Sequence, residues 1–169
     1  MTFADIVVSA GVIASAHLGS WPGVQSTVTL TSPHLEIVST LDLAQKYREP
    51  GFSRLWIEEG TFVIGPIVGG ARWSQRFGRW SKRSLAYIAG IEHGPLRLVY
   101  RDDLWATDPN NVRALDVRYR QTRGRLRLEL TYGVVRFDQP RPSGLESRLG
   151  WHETFTLGYR FLGGAEATP

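Results

Sequence analysis

The chain has 169 residues and a net charge of +4, with 20 Lys and Arg residues against 16 Asp and Glu residues. That length fits a single domain, and the small positive excess favours anionic partners such as lipid phosphate or nucleic acid only weakly. The chain contains no cysteine, which excludes a disulfide framework, a thiol nucleophile and thiolate metal ligands. The longest nearly apolar stretch, residues 6–18, is shorter than the roughly 20 residues of a membrane-spanning helix.

Apolar and polar residues alternate with a period of two through most of the chain, and Gly and Pro interrupt this pattern at short intervals. The pattern predicts β-strands joined by turns. We expect eight strands, in chain order at residues 4–18, 24–43, 54–69, 84–92, 95–105, 111–122, 125–138 and 150–162. The predicted fold class is all-β: a single antiparallel up-and-down β-barrel of about eight strands over residues 1–162, with residues 163–169 as a disordered tail.

The predicted strands differ in regularity. In residues 24–43 the apolar residues change from even to odd positions, so we expect a bulge or a break at Ser32-Pro33. In residues 54–69 two sets of apolar residues compete, and the register stays open. Residues 125–138 alternate cleanly, with one face formed by Leu126, Leu128, Leu130, Tyr132 and Val134.

Alternation separates two faces of the barrel without saying which of them lines the interior. With the apolar face inside, the protein is a soluble barrel with an arginine-rich surface; with the apolar face outside, it spans a membrane. Three features favour the membrane: a polar face rich in small and charged residues, aromatic residues near strand ends, and short turns alternating with longer connections such as residues 70–83 and 139–149.

Charged residues occupy the polar face of several predicted strands. Opposite charges fall on neighbouring strands, where cross-strand pairing can neutralise them. We predict that these residues close the lumen with ion pairs, because eight strands leave room for side chains only. In the soluble alternative the same residues form a solvated surface. The predicted lumen set is Glu92, Arg97, Arg101, Asp116, Arg118, Arg120, Arg127, Glu129 and Arg160.

Residues 72–83 interleave five cations with three aromatic residues. We predict a loop that binds anions at a lipopolysaccharide surface, where Arg and Lys pair with phosphates and Trp lies at the membrane interface. The alternatives are nucleic acid binding by charge and stacking, and an ordinary solvated loop. The predicted anion-binding residues are Arg72, Trp73, Arg76, Arg79, Trp80, Lys82 and Arg83.

The closing segment Phe155-Thr156-Leu157-Gly158-Tyr159-Arg160-Phe161 resembles the terminal strand of Gram-negative outer-membrane β-barrels. In that family the strand commonly ends in alternating aromatic residues and a Phe, and the barrel-insertion machinery reads it. The resemblance implies a small eight-stranded barrel whose insertion signal is Phe155, Leu157, Gly158, Tyr159 and Phe161. It also implies a mature chain, without a signal peptide, in the bacterial outer membrane; a cytoplasmic or virion location is the alternative.

No residue set indicates a catalytic or metal site, because the four histidines show no ligand spacing and none lies beside a Ser in a nucleophile motif. We therefore expect no cofactor and do not expect an enzyme. The expected role is structural or surface-interactive, with membrane lipid, lipopolysaccharide as a candidate, and the barrel-insertion machinery as partners, and without nucleic acid. The alternative is a soluble β-barrel that binds an apolar ligand inside, or a phage-type structural component.

Overall fold

A computed structural model describes residues 5–15, 20–46, 52–77, 82–107 and 111–162, which form ten β-strands. The tail at residues 163–169, expected to be disordered, lies outside the described residues. No helix of the described chain is long and apolar enough to cross a membrane. The strands are β1 (Asp5–Ser15), β2 (Ser20–Thr31), β3 (Leu35–Lys46), β4 (Phe52–Ile64), β5 (Ile67–Phe77), β6 (Lys82–His93), β7 (Leu96–Ala106), β8 (Asn111–Arg123), β9 (Leu126–Arg141) and β10 (Gly144–Leu162).

The strands form a single closed antiparallel barrel in which each strand pairs with its neighbours along the chain. The first and last strands close the ring, with Val8 of β1 opposite Tyr159 of β10 and Val12 opposite Phe155. Closure leaves no free sheet edge, so the backbone groups of both edge strands are satisfied within the molecule. The predicted all-β, up-and-down antiparallel barrel is therefore confirmed.

The two ends of the barrel are built differently. At one end, tight turns join β2 to β3, β4 to β5, β6 to β7 and β8 to β9, and three of these turns contain a glycine with positive φ: Gly65 (58°), Gly94 (57°) and Gly124 (58°). A left-handed backbone at these positions favours glycine and allows a two-residue connection. We call this the tight-turn end, and the opposite end, where β1, β3, β5 and β7 finish, the mouth.

The expected count of eight strands is wrong, because two tight turns lie inside segments expected to be single strands. The first is at Ser32, where the backbone N–H donates to the carbonyl of Leu35 at 2.7 Å and the hydroxyl accepts from the N–H of Leu35 at 3.1 Å. The second is Gly65-Pro66, flanked by the exposed apolar residues Ile64 and Ile67. Each turn shifts the apolar residues between even and odd positions, and because a bulge does the same, the shift alone did not identify a turn.

Two connections expected to be long are largely strand. Residues 70–77 belong to β5, and β6 begins at Lys82. Most of 139–149 belongs to a hairpin of β9 and β10, turning at residues 142–143. Among the described residues of this hairpin, those of β9 beyond Asp138 have no partner on β8, and those of β10 before His152 have none on β1. We call residues 139–151 the β9–β10 extension, since they project beyond the neighbouring strands at the mouth.

The apolar face of the strands points outward. In β9, Leu126 and Tyr132 are 54% and 49% exposed, whereas Arg127 between them is 6% exposed. Elsewhere, fully buried side chains include the carboxylates Glu36 and Asp116. This distribution is the reverse of a soluble protein, in which charged side chains are rarely buried and large apolar ones line the core. The one apolar cluster identified among the described residues is Ala114, Val135 and Phe137 with Val112, and it lines the lumen near the mouth.

Candidate functional site

The lumen near the tight-turn end is organised around Glu36 of β3, which is 3% exposed. Its carboxylate accepts hydrogen bonds from Arg97 at 3.0 Å and from two guanidinium nitrogens of Arg120, and Arg127 lies 3.7 Å away. The three arginines come from β7, β8 and β9, which lie across the barrel from β3. One carboxylate thus joins four strands across the barrel.

Two further carboxylates complete this group. Glu92 accepts from Arg97, directly opposite it across the β6–β7 pair. Glu129 accepts from Arg120 at 3.1 Å and from Arg127 at 2.9 Å. We call these residues, with Glu36, the basal cluster. It holds three carboxylates and three guanidinium groups, so its charges balance, and charge-assisted bonds of this kind are the strong ones in proteins.

A second group lies between the basal cluster and the mouth. Arg118 donates to both oxygens of Glu59, at 2.6 and 3.1 Å, and Arg72 lies 3.8 Å from the same carboxylate. Arg101 donates to both oxygens of Asp116, at 3.0 and 3.3 Å, and Arg118 lies 3.6 Å from Asp116. We call these five residues the central cluster; three arginines meet two carboxylates in it.

His152 of β10 approaches the central cluster, with Nε2 3.4 Å from an oxygen of Asp116. The space for this contact comes from Gly133, where a Cβ would lie 2.2 Å from Cε1 of His152 and 2.4 Å from the Asp116 carboxylate. Any larger residue at position 133 would therefore push the imidazole away. His152 and its neighbour Glu153 lie on opposite faces of β10, and of the two only His152 lines the lumen.

The lumen contains a cavity of about 320 Å³ that extends from the mouth to both clusters, since its lining includes Asp116 and Arg118 of the central cluster and Arg127 and Glu129 of the basal cluster. Its polar wall includes Ser74 and Ser84, whose hydroxyls are 2.7 Å apart, and Asp42, which accepts from Gln25 at 2.9 Å. Ten strands enclose more space than eight, which leave just enough room for side chains. We call the part of this space nearest the mouth the mouth cavity; the lining residues there include Arg76, Lys82, Asp103, Ala106, Val112, Ala114, Val135 and Phe137.

Most of the predicted lumen set meets inside the barrel. Eight of its members make the ion pairs described above, and Arg160 lies opposite Val7 in the β1–β10 register. Sequence reasoning missed Glu36, which faces three guanidinium groups, and Glu59, which faces two. For Glu36 the available signal was its position between the apolar residues Leu35 and Ile37; Glu59 lies between Glu58 and Gly60, which give no such signal.

The predicted anion-binding loop is divided by strand alternation. Arg72 and Arg76 of β5 and Lys82 of β6 line the lumen, while Trp73 faces outward, its ring 6.1 Å from that of Trp56 in an edge-to-face contact. Arg83 is exposed and lies opposite the outward-facing Gln75. Residues 79 and 80, Arg79 and Trp80, lie outside the described residues. The described part of the segment is therefore strand. Arg83, although exposed, borders the same cavity as Arg72, Arg76 and Lys82.

The predicted insertion signal lies in β10. Phe155, Leu157, Tyr159 and Phe161 are exposed on the outer face, and the rings of Tyr159 and Phe161 contact edge to face at 5.1 Å. Gly158 faces inward, where a Cβ would lie 2.2 Å from the hydroxyl of Ser9. The aromatic stripe therefore lies beside β1, along the seam that closes the barrel.

The described residues contain no group of three or more His, Cys, Asp or Glu side chains arranged to hold a metal ion.

No protein-family model matches the chain, and no curated protein matches it. Among solved structures, the crystal structure of Neisserial surface protein A (NspA) is similar, with a TM-score of 0.37 and 11% sequence identity over 94% of this chain and 96% of that chain. A similarity of this size carries no conclusion about function.

Proposed function

We propose that this protein is a small β-barrel of the bacterial outer membrane, with a structural or surface-interaction role and a lumen closed by ion pairs. The observation that carries the proposal is the distribution of side chains: large apolar residues cover the outside, and charged residues are buried inside. In water an apolar outer surface of this extent would drive aggregation, whereas in a bilayer it is the stable arrangement.

The height of the apolar outer face supports a membrane location. In β9 the outward residues from Leu126 to Val134 are all apolar, and the next outward residue is Arg136, which donates to Asp138 at 2.8 Å. Eight residue steps at roughly 3.4 Å give about 27 Å, which becomes about 21 Å at a strand tilt of about 40°. This is close to the apolar band of about 25 Å on outer-membrane barrels.

The basal and central clusters support a closed lumen. The basal cluster is charge-balanced and the central cluster holds one more cation than carboxylates; in both, moving a bonded side chain would leave a buried partner without its counter-charge. An inert plug accounts for this arrangement better than a conducting path. It also counts against the alternative of a soluble barrel holding an apolar ligand, because the interior below the mouth cavity is charged.

Contacts with lipid headgroups are proposed for the outer face near the mouth. Trp56 and Trp73 lie together there, and Arg83 is exposed on a neighbouring strand. Tryptophan prefers the membrane interface, and arginine pairs with phosphate, including the phosphates of lipopolysaccharide. The exposed aromatic residues of β10, from Phe155 to Phe161, are the proposed contact for the barrel-insertion machinery.

The test is gel mobility in SDS with and without boiling, after refolding into detergent and, separately, into plain buffer. We expect folding to require detergent and the unboiled band to migrate faster, because a closed barrel resists SDS until heated. A monodisperse protein in plain buffer that shows no heat-dependent shift would contradict the membrane proposal and favour a soluble barrel.

A further inference from the structure

One carboxylate lies on the outer face of the barrel without a counter-charge. Glu58 of β4 alternates with the lumen residues Ile57 and Glu59, so its side chain points outward. The carboxylates of the basal and central clusters all accept from arginine, whereas Glu58 makes no ion pair with any residue in the described part of the chain. A carboxylate on the apolar surface of a membrane protein is costly unless a cation reaches it.

Two neutral donors hold this carboxylate in a fixed orientation. Ser39, directly opposite Glu58 in the β3–β4 register, donates its hydroxyl to Oε1 at 2.8 Å. The indole Nε1–H of Trp56 donates to the same oxygen at 2.7 Å. Neither donor is charged, and both bonds end on Oε1. The negative charge is therefore uncompensated, and no bond from the described residues occupies Oε2, which is left to accept from a ligand.

Two tryptophans flank the carboxylate. Trp73 lies directly opposite Glu58 in the β4–β5 register, and its ring is 6.1 Å from that of Trp56 at an interplanar angle of 80°. Of the aromatic side chains, tryptophan attracts cations most strongly, and it prefers the membrane interface, where lipid headgroups lie. A carboxylate beside two indole rings therefore offers the chemistry that receives an ammonium group.

A shallow groove continues from the carboxylate toward the tight-turn end. The next outward residues in that direction are Gly60 of β4 and Ala71 of β5, which lie opposite each other, and a Cβ at Gly60 would meet nothing within 4 Å. Larger side chains border the groove, because Ile37 lies opposite Gly60 on β3 and Tyr87 lies opposite Ala71 on β6. In a bilayer this direction leads from the headgroups toward the acyl chains, so the groove fits the chain of a lipid whose head lies at Glu58.

We propose that Glu58, with Trp56 and Trp73, is a binding site for the ammonium headgroup of a membrane lipid. The ammonium group lies against Oε2 and the indole rings, and an acyl chain lies over Gly60 and Ala71. The carboxylate selects a cationic head, and the groove selects an amphiphile over a soluble amine. The proposal rests on the membrane location of the proposed function and names the headgroup chemistry that this part of the outer face takes.

The experiment is tryptophan quenching by lipids with brominated acyl chains, in phosphatidylglycerol vesicles that contain the refolded protein; Trp56 and Trp73 report on the site directly. Brominated phosphatidylethanolamine carries the ammonium group, and brominated phosphatidylglycerol has the same chains and phosphate without it. We expect about fivefold tighter association of the ammonium lipid, the size of one exposed cation–π or ion-pair contact. Glu58→Gln should abolish this preference, because glutamine keeps the shape of the side chain and loses its charge.

Glu146→Gln is the matched control. It removes one negative charge from the exposed β9–β10 extension and should keep the preference. Gly60→Leu is a second variant that fills the groove while leaving Glu58 intact, and it should lower quenching by the ammonium lipid. Equal quenching by the two lipids in the wild type, or an unchanged preference in Glu58→Gln, would overturn the proposal.

Ethanolamine added to the buffer separates the two sources of an ammonium group. An unchanged preference supports the lipid, whereas a preference lost to ethanolamine would overturn it, since the site would then take a soluble amine. Each sample is first checked for the heat-dependent gel shift. A shifted wild-type barrel without the preference refutes this site alone and leaves Glu58 to a basic side chain of a membrane partner, whereas a missing shift refutes the barrel proposal.

Discussion

Replacing Glu36 by Gln should destabilise the barrel more than any other single loss of a carboxylate in the basal cluster. The Glu36 side chain is 3% exposed and faces Arg97, Arg120 and Arg127. Glutamine keeps the shape of the side chain but removes the negative charge and part of the acceptor capacity. Three guanidinium groups would then face a neutral amide in the interior of the lumen.

The magnitude follows from the remaining partners. Removing one partner of a buried ion pair costs roughly 3–5 kcal/mol. Glu92 still accepts from Arg97, and Glu129 still accepts from Arg120 and Arg127, so we expect a loss at the low end, about 3 kcal/mol. With an m-value of about 2 kcal/mol per M, the urea midpoint would fall by about 1.5 M.

The assay is equilibrium urea unfolding of the barrel in detergent, followed by the fluorescence of its six tryptophans. The matched control is Glu146→Gln in the β9–β10 extension. Glu146 accepts from Arg148 at 2.8 Å, but both side chains are exposed, at 40% and 64%. Exposed pairs contribute about 0–1 kcal/mol, so the control should unfold near the wild-type midpoint.

Equal midpoints for Glu36→Gln and Glu146→Gln would refute the reasoning, because they would mean that the lumen is wet enough to solvate the arginines. A stabilised Glu36→Gln variant would mean that the desolvation of the carboxylate outweighs its three contacts. In either case the basal cluster would not be the plug of the barrel.

Three further predictions concern the outer face, the barrel seam and the lumen. Leu130→Arg, in the middle of the apolar face of β9, should cost about 2–4 kcal/mol in lipid unfolding experiments, whereas Leu149→Arg in the β9–β10 extension should cost about 0–1 kcal/mol; equal costs would contradict the proposed membrane band. Gly11→Ala should cost about 1–3 kcal/mol in urea unfolding, since its Cβ would lie 2.0 Å from the Phe155 carbonyl oxygen, while Gly60→Ala meets nothing within 4 Å and should fold normally. In planar bilayers the wild-type protein should show no stable single-channel conductance, and steady open steps would disprove an ion-paired plug.

The alternation of β8, β9 and β10 was readable because each strand has a clean period of two, and the turn Gly124-Arg125 separates β8 from β9. The same rule failed where a turn is flanked by apolar residues, as between Ile64 and Ile67. Alternation identifies strand faces, but the shift from even Ile64 to odd Ile67 fits a bulge or an undecided register as well as a turn of two residues. Hence the fold class was predictable and the strand count was not.

The lumen pairs show the same limit. Glu92 and Arg97 are near in sequence and face each other across one turn, so their pairing was expected from the strand pattern. Glu36 and Arg120 are 84 residues apart and meet across the lumen. Pairs between strands that are not neighbours depend on the closure and diameter of the barrel, which no local pattern encodes.

The sequence by itself determined that the chain forms β-strands with one apolar and one polar face, because side chains alternate across a strand whatever surrounds it. Only the tertiary structure decided that the polar face lines the lumen, since closing ten strands selects which face is enclosed. It also decided that Arg72 and Arg76 point into the mouth cavity while Trp73 points outward, because a strand, unlike a loop, sends neighbouring side chains to opposite faces.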